Sequence, residues 1–195
     1  NFLLKTGKIP KIVEGEILLK ALYVSVDPYI RGRMNDVKSY IPPFEVGKPM
    51  QSGAVAEVVE SKNKNYSVGT HLTGMVEWKK YQVSNGVGLF PVSADLAPLS
   101  SYLGVLGVTG LTAYFGLLEI GKPKEGETLV VSGAAGAVGI TVSEIGRIKG
   151  CKVVGIAGSD EKTKQLKDKF KLDEAINYKK TENMDKAIKE ACPNG

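Results

Sequence analysis

"LVVSGAAGAVG", residues 129–139, decides how this chain is read. An apolar run stops in seven consecutive Gly, Ala or Val residues, 133–139, and a second apolar run begins. So little side chain at a strand end has two explanations. Either the turn is simply tight and well packed, or a large, flat, negatively charged ligand comes close to the backbone. The flanks help to decide. Upstream, "ETLVVS" (127–132) is a continuous apolar strand of the kind buried on both faces of a parallel sheet. Downstream, Val138, Val142, Ile145 and Ile148 recur at helical spacing, and Gly150 closes the segment. The pattern then repeats. "KVVGIAG" (152–158) predicts a second strand, followed by a helix with Thr163, Leu166 and Phe170 on its inner side. "EAINY" (174–178) predicts a third strand, and Met184, Ala187, Ile188 and Ala191 a third helix. This βαβαβα order implies right-handed crossovers and a parallel sheet. It amounts to one mononucleotide-binding half of a doubly wound fold. Because the chain stops at "CPNG", inside what reads as a turn, a fragment of a longer enzyme is expected.

Within that frame "AAGAVG" is the G-x-G-x-x-G fingerprint with Ala134 in place of the first glycine. Gly136 would let a pyrophosphate touch the backbone, and Gly139 would let the helix lie close on the sheet. The helix start offers unpaired N–H groups and the positive end of its dipole. No Lys-Ser/Thr pair follows the glycines, so a nucleoside-triphosphate P-loop is excluded. An NAD site usually places an acid at the end of the second strand, about 20 residues after the glycine turn, to hold the ribose 2′-OH. Here Gly158 occupies that tip, Ser159 follows, and Asp160 is offset as a cap for the next helix. Gly158 leaves room, Ser159 offers a hydroxyl and Lys162 a cation to a 2′-phosphate. The pattern therefore favours NADP over NAD.

The first hundred residues have a different grammar. "EILLKALYVSV" (16–26) is a β-rich run ending at Asp27-Pro28, and "SGAVAEVVES" (52–61), "GTHLTGMVEW" (69–78) and "KKYQVSNG" (79–86) follow at hairpin-like spacing. Pro42-Pro43, Pro49 and several glycines mark loops. This half predicts a mostly antiparallel, barrel-like domain. Between the halves, "SSYLGVLGVTGLTAYFGLLEIG" (100–121) carries helical periodicity, ended by Gly121 and Pro123. The division expected is residues 1–100, with an incomplete N-terminus, and residues 101–195.

Bulk properties narrow the function further. Over 195 residues, 43% are apolar and 24% charged, as in an ordinary globular protein. No run of about 18 apolar residues exists, so no membrane-spanning helix is expected. No secretory signal is visible at Asn1, and the absence of an initiator Met points to lost N-terminal residues. Cys151 and Cys192, the only cysteines, form no CxxC pair, so neither a disulfide framework nor a thiolate metal site is expected. A reduced, cytoplasmic setting is the simplest. The net charge of +5 forms no basic block, and nucleic acid is not an expected partner.

"SVDPYIRGRM" (25–34), "SYIPPFEVGKPMQSGAVAEVVES" (39–61), "GVTGLTAYFGLLEIG" (107–121), "SGAAGAVG" (132–139) and "KVVGIAGSDEK" (152–162) together resemble the zinc-independent medium-chain dehydrogenase/reductases. The nearest branch is that of prostaglandin reductases, leukotriene hydroxydehydrogenases and alkenal double-bond reductases. The resemblance implies an α/β plus β fold: a GroES-like domain, then the first half of a Rossmann doubly wound sheet, with the active site in the cleft between them. It implies NADPH-dependent reduction of a carbon–carbon double bond conjugated to a carbonyl. Hydride would go to the β-carbon, and hydrogen-bond donors would stabilise the enolate. Gly136, Ala137, Val138 and Gly139 match the pyrophosphate turn, and Lys162 and Tyr178 match the 2′-phosphate contacts. Thr112 matches a residue beside the nicotinamide, Val108 stands where methionine is common, and Tyr29 matches a tyrosine of the substrate pocket. Tyr29 read without the resemblance is a half-buried aromatic at a strand end. The family's enolate-stabilising tyrosine would lie beyond Gly195, so no catalytic residue is assigned within the chain. The Gly-His-Glu constellation and four-cysteine lobe of zinc-using relatives are absent, and His71, the only histidine, reads as structural. The expected partner is a small enone or quinone, with homodimerisation possible for the longer protein. Two rival functions are a quinone reductase of the same fold and a non-catalytic NADPH-binding protein. The 195-residue chain by itself is expected to be inactive.

Overall fold

A computed structural model describes residues 2–193. Two compact units divide the chain, Asn1–Leu103 and Gly104–Gly195.

In the first unit, strands β1 (Ile17–Val24), β2 (Gln51–Ser61), β3 (His71–Glu77), β4 (Tyr81–Ser84) and β5 (Phe90–Val92) pair in the order β4-β1-β2-β3-β5. All pairings are antiparallel, in the GroES-like manner. Alternate residues build the core, because successive side chains of a strand point to opposite faces. Ile17 and Leu19 of β1 meet Ala54, Ala56 and Val58 of β2, and Leu72 and Val76 of β3. Each Leu or Ile so buried stabilises the fold by about 1.5–3 kcal/mol. Two register shifts in the β1–β2 ladder, at Leu18/Leu19 and Ala21/Tyr23, bend the sheet. The one buried hydroxyl on the inner face of β2, Ser52, accepts a 2.8 Å hydrogen bond from the Trp78 indole N–H. His71 stands in β3 opposite Glu57 and Val92, within the ladder.

Between β1 and β2, where the sequence pattern predicts the end of a strand, a short helix forms instead, α1 (Pro28–Arg33). Its cause is local: Pro28 at the first helical position carries a preset φ and lacks only an N–H that would go unpaired anyway.

In the second unit the expected continuous helix over 100–121 does not form. A 3₁₀ turn (Leu99–Leu103) closes the first unit, and α2 (Val108–Phe115) follows after a break. The break is held by one carbonyl: Gly104 O accepts from Gly107 N–H (2.9 Å), Gly110 N–H (3.2 Å) and the Thr109 hydroxyl (2.9 Å). A π-helical turn, Gly116–Gly121, continues α2 and ends at left-handed Lys122 (φ 49°), just before Pro123. The alternation then runs β6 (Thr128–Ser132), α3 (Ala137–Ile148), β7 (Lys152–Ala157), α4 (Asp160–Asp168), β8 (Glu174–Asn177) and α5 (Met184–Ala191). The three strands form a parallel sheet in the order β6-β7-β8, the arrangement of half a Rossmann fold.

The helix faces partly depart from expectation. Leu166 of α4 is fully buried, Phe170 packs just past the helix end, and Met184, Ala187, Ile188 and Ala191 of α5 cover the other side of the sheet, all as periodicity predicts. In α3, however, the buried positions are Gly139, Ser143 and Gly146, while Ile148 is 81% exposed. The reason is distance. The side chains of Leu129 and Val153 fill the space a Cβ on Gly146 would need, 2.5 and 3.3 Å away. A helix lying that close to its sheet admits only small residues on the contact stripe, so the large apolar ones sit to either side. Val142 still reaches the core from there.

Candidate functional site

Parallel strands end together, and loops that leave their carboxyl ends form a common rim. Three features meet on that rim here.

The first is the β6–α3 turn. Gly133 has φ +59°, a left-handed conformation that favours glycine. With Ala134 standing in the fingerprint's first glycine position, the left-handed residue of the tight turn is the preceding Gly133. Ala134 is fully buried, and its N–H donates to the Ile156 carbonyl (3.1 Å), tying the turn to β7. Gly136 is the N-cap of α3 and has no side chain to cap the helix. The fourth N–H of the turn is satisfied, Ile140 to Gly136 O at 2.8 Å, which leaves those of Ala137, Val138 and Gly139 without an intrahelical acceptor. A Cβ on Gly139 would sit 2.4 Å from Gly133 O and 2.7 Å from Ala134 Cα. The cradle is thus built from bare backbone and cannot accept a side chain at its floor. Three unpaired N–H groups at the positive end of a 12-residue helix suit an anionic group such as a diphosphate.

The second is the tip of β7. Tyr178 follows β8, its N–H donating to Ala157 O (3.1 Å), and its ring lies across Gly158. A Cβ there would meet the end of the Tyr178 side chain, its ring and hydroxyl, at 2.9–3.2 Å, so glycine lets the tyrosine lie close without a shift. Ser159 is the N-cap of α4, its hydroxyl accepting from Lys162 N–H at 3.3 Å. The cap expected of Asp160 is therefore made by Ser159. Capping uses an acceptor lone pair, and the Ser159 O–H donor stays available. Gly158, Ser159, Lys162 and Tyr178 are thus brought together, with Lys162 and Tyr178 exposed.

The third feature was not anticipated. The Asp160 carboxylate, in the first turn of α4, accepts a 2.6 Å hydrogen bond from Asn177 Nδ2 and pairs with Lys180. The hydrogen bonds from Lys180 and Asn177 hold this carboxyl below its usual range. The signal in the sequence is faint: an acid one residue past a Ser cap, and a distant Asn-x-x-Lys.

The remaining expected site residues lie on α2 and in the other unit. Val108 and Thr112 occupy successive turns of α2, which packs on α3. The Thr112 hydroxyl donates to Val108 O (2.7 Å), so the two form one element of local structure, with Val108 79% exposed. Tyr29, in the first unit, is half-buried on α1 and not at a strand end. Burial, and then the Asp27 carboxylate, push its phenol above the ordinary value. Asp27 is itself engaged by the Ser25 hydroxyl. Among the described residues no group of His, Cys, Asp and Glu could hold a metal ion, and no helix is long and apolar enough to cross a membrane.

Comparison with known proteins gives consistent relatives. Residues 1–92 match the family model described as the N-terminal domain of oxidoreductase. The chain is 48% identical over 198 residues to prostaglandin reductase 1 of Bos taurus, covering all of this chain and 58% of the relative. It is 42% identical over 189 residues to the 2-alkenal reductase (NADP(+)-dependent) of Nicotiana tabacum, covering 95% of this chain and 55% of the relative. Among solved structures, CurA of Vibrio vulnificus in complex with NADPH superposes with a TM-score of 0.88 at 42% identity, over all of this chain and 58% of that one. The chain therefore spans a little over half the length of these relatives.

Proposed function

We propose that this chain belongs to the zinc-independent medium-chain dehydrogenase/reductases and that its full-length protein reduces the carbon–carbon double bond of α,β-unsaturated aldehydes and ketones with NADPH. The observation that carries the proposal is the bare head of α3, with three unpaired N–H groups over a floor closed to any Cβ. Bound there, NADPH would supply hydride to the β-carbon of the enone.

The chain's own residues bind and orient. Ala137, Val138 and Gly139 N–H groups hold the diphosphate; Lys162 pairs with the 2′-phosphate, and Ser159 and Tyr178 donate hydroxyl hydrogen bonds beside it. Val108 and Thr112 are assigned to the nicotinamide side, with the Thr112 hydroxyl fixed by Val108 O. Tyr29 is assigned to the substrate pocket. Its raised pKa keeps the phenol protonated, and so a hydrogen-bond donor, through the ordinary pH range. Such chemistry asks for positioning and charge stabilisation more than for an acid–base pair. We assign residues 1–100 to the substrate domain and 101–195 to the dinucleotide domain, in a cytoplasmic enzyme.

Binding of NADPH and NADH to the full-length protein tests the reading. NADPH should bind at least about tenfold more tightly, and Lys162→Ala should remove most of that margin while leaving NADH nearly unchanged. Equal losses for both nucleotides would sink the role of Lys162. Turnover of alkenals against naphthoquinones, both with NADPH, tests the substrate class, and consumption of quinones alone would refute it.

A further inference from the structure

The Asp160–Lys180–Asn177 group is on the surface, its ion pair 71% and 62% exposed. Exposed pairs of this kind contribute little to stability, so stability alone is a weak reason for it. Its position is more telling. Asp160 stands two residues past the tip of β7, in the same first turn of α4 as Lys162. An acid at that tip is the group that would accept the 2′-OH of an unphosphorylated ribose, and its charge would oppose a 2′-phosphate. Here that acid is drawn to the end of β8. Asn177 is in register with Ala157, so its amide reaches Asp160 across the strand tips, and Lys180 neutralises the carboxylate. Among the described residues no ion pair involves Lys162.

We propose that Lys180 and Asn177 are positioning residues for cofactor choice: they hold the Asp160 carboxylate against β8, leaving Lys162 unpaired and the rim free of an opposing charge. The inference rests on the NADPH reading above. Hydrogen bonding from Lys180 and Asn177 holds the Asp160 carboxyl below its ordinary value, so the charge to be neutralised is present near neutral pH.

The test is calorimetric binding of NADPH, NADH and the fragment 2′,5′-ADP to the full-length protein and its variants, with no turnover required. Lys180→Met should weaken NADPH and 2′,5′-ADP about fivefold, the scale of one unscreened surface charge, and leave NADH unchanged or tighter. Lys180→Arg, which keeps the ion pair, should behave like the wild type. Adding Asp160→Asn to Lys180→Met should restore NADPH affinity to within about twofold of the wild type, because the charge that Lys180 masks is gone. A Lys180→Met protein that keeps the wild-type ratio of NADPH to NADH overturns this inference and leaves the NADPH reading standing. A double variant as weak as Lys180→Met also overturns it, since Lys180 would then touch the phosphate itself. A wild-type protein with no preference for the 2′-phosphate would remove the NADPH reading and this inference together.

Discussion

The heads of α3 and α4 start in equivalent places, each one turn beyond a strand of the same parallel sheet, yet they are finished in opposite ways. At α4 the chain supplies its own cap: Ser159 accepts from Lys162 N–H, and Asp160 is tethered to β8. At α3 nothing caps, and the turn is made only of Gly and Ala. The cap takes one first-turn donor of α4, the Lys162 N–H, whereas no side chain at the head of α3 takes any. On the proposed function this difference divides the work along the rim, with backbone donors at α3 for a diphosphate and side chains at α4 to read what the ribose carries.

The harshest way to break this contrast is to place a methyl group in the α3 cradle. Gly139→Ala puts a Cβ 2.4 Å from a backbone oxygen, and either α3 lifts off the sheet or the turn opens. Overpacking of this kind costs about 3 kcal/mol, and nucleotide binding should disappear with it. Urea titration and NADPH calorimetry read the two effects, and an unaltered affinity would refute the cradle.

Substitution at Ser159 sharpens the contrast more gently. Ser159→Ala should cost about 1 kcal/mol of stability through the lost cap, whereas Ser159→Gly should cost only a few tenths. Both should lose NADPH affinity by a similar, smaller factor, since each removes the O–H donor. If Ser159→Gly binds NADPH as the wild type does, the hydroxyl serves the helix alone.

The smallest effect concerns acid. The Asp160 carboxyl is held below its usual range in the fold, first by Lys180 and then by Asn177. A group with a depressed folded pKa contributes stability above its unfolded value, about 3.9, and loses it as pH falls through the folded value. Asp160→Asn should therefore differ slightly from the wild type at pH 7 and converge with it on acidification. A difference that grows in acid would contradict the assigned pair.

Much of this was legible in the sequence, and the exceptions have physical reasons. Strand β7 announces itself because burial on both faces demands an unbroken apolar run. Strand β6 carries such a run although Val130 is 40% exposed, and β8, with Glu174 and Asn177 at its ends, is legible mainly from its place in the alternation. The glycine turn is legible because few other constraints empty a strand end of side chains. Less legible were features set by distance. The contact stripe of α3 is Gly139, Ser143 and Gly146, whereas a hydrophobicity pattern points to the larger residues beside it. The break at Gly104–Gly107 depends on a carbonyl that gathers three donors, which leaves no mark on periodicity. Helix α1 was readable after all, since Pro28 directly after Asp27 is a start signal as well as a strand end. The Asp160 tether joins residues 17 and 20 positions apart, and only the register of β7 and β8 brings them together.

The bond between the Trp78 indole and the buried Ser52 hydroxyl has a practical corollary for anyone who works with this protein. Trp78 is the single tryptophan of these 195 residues, and it lies within the β-rich unit. Intrinsic fluorescence therefore follows the melting of that unit, while far-ultraviolet dichroism is weighted toward the helices of the other. Superimposed curves from the two signals would mean that both units unfold as one; separated midpoints would give each unit its own stability without cutting the chain.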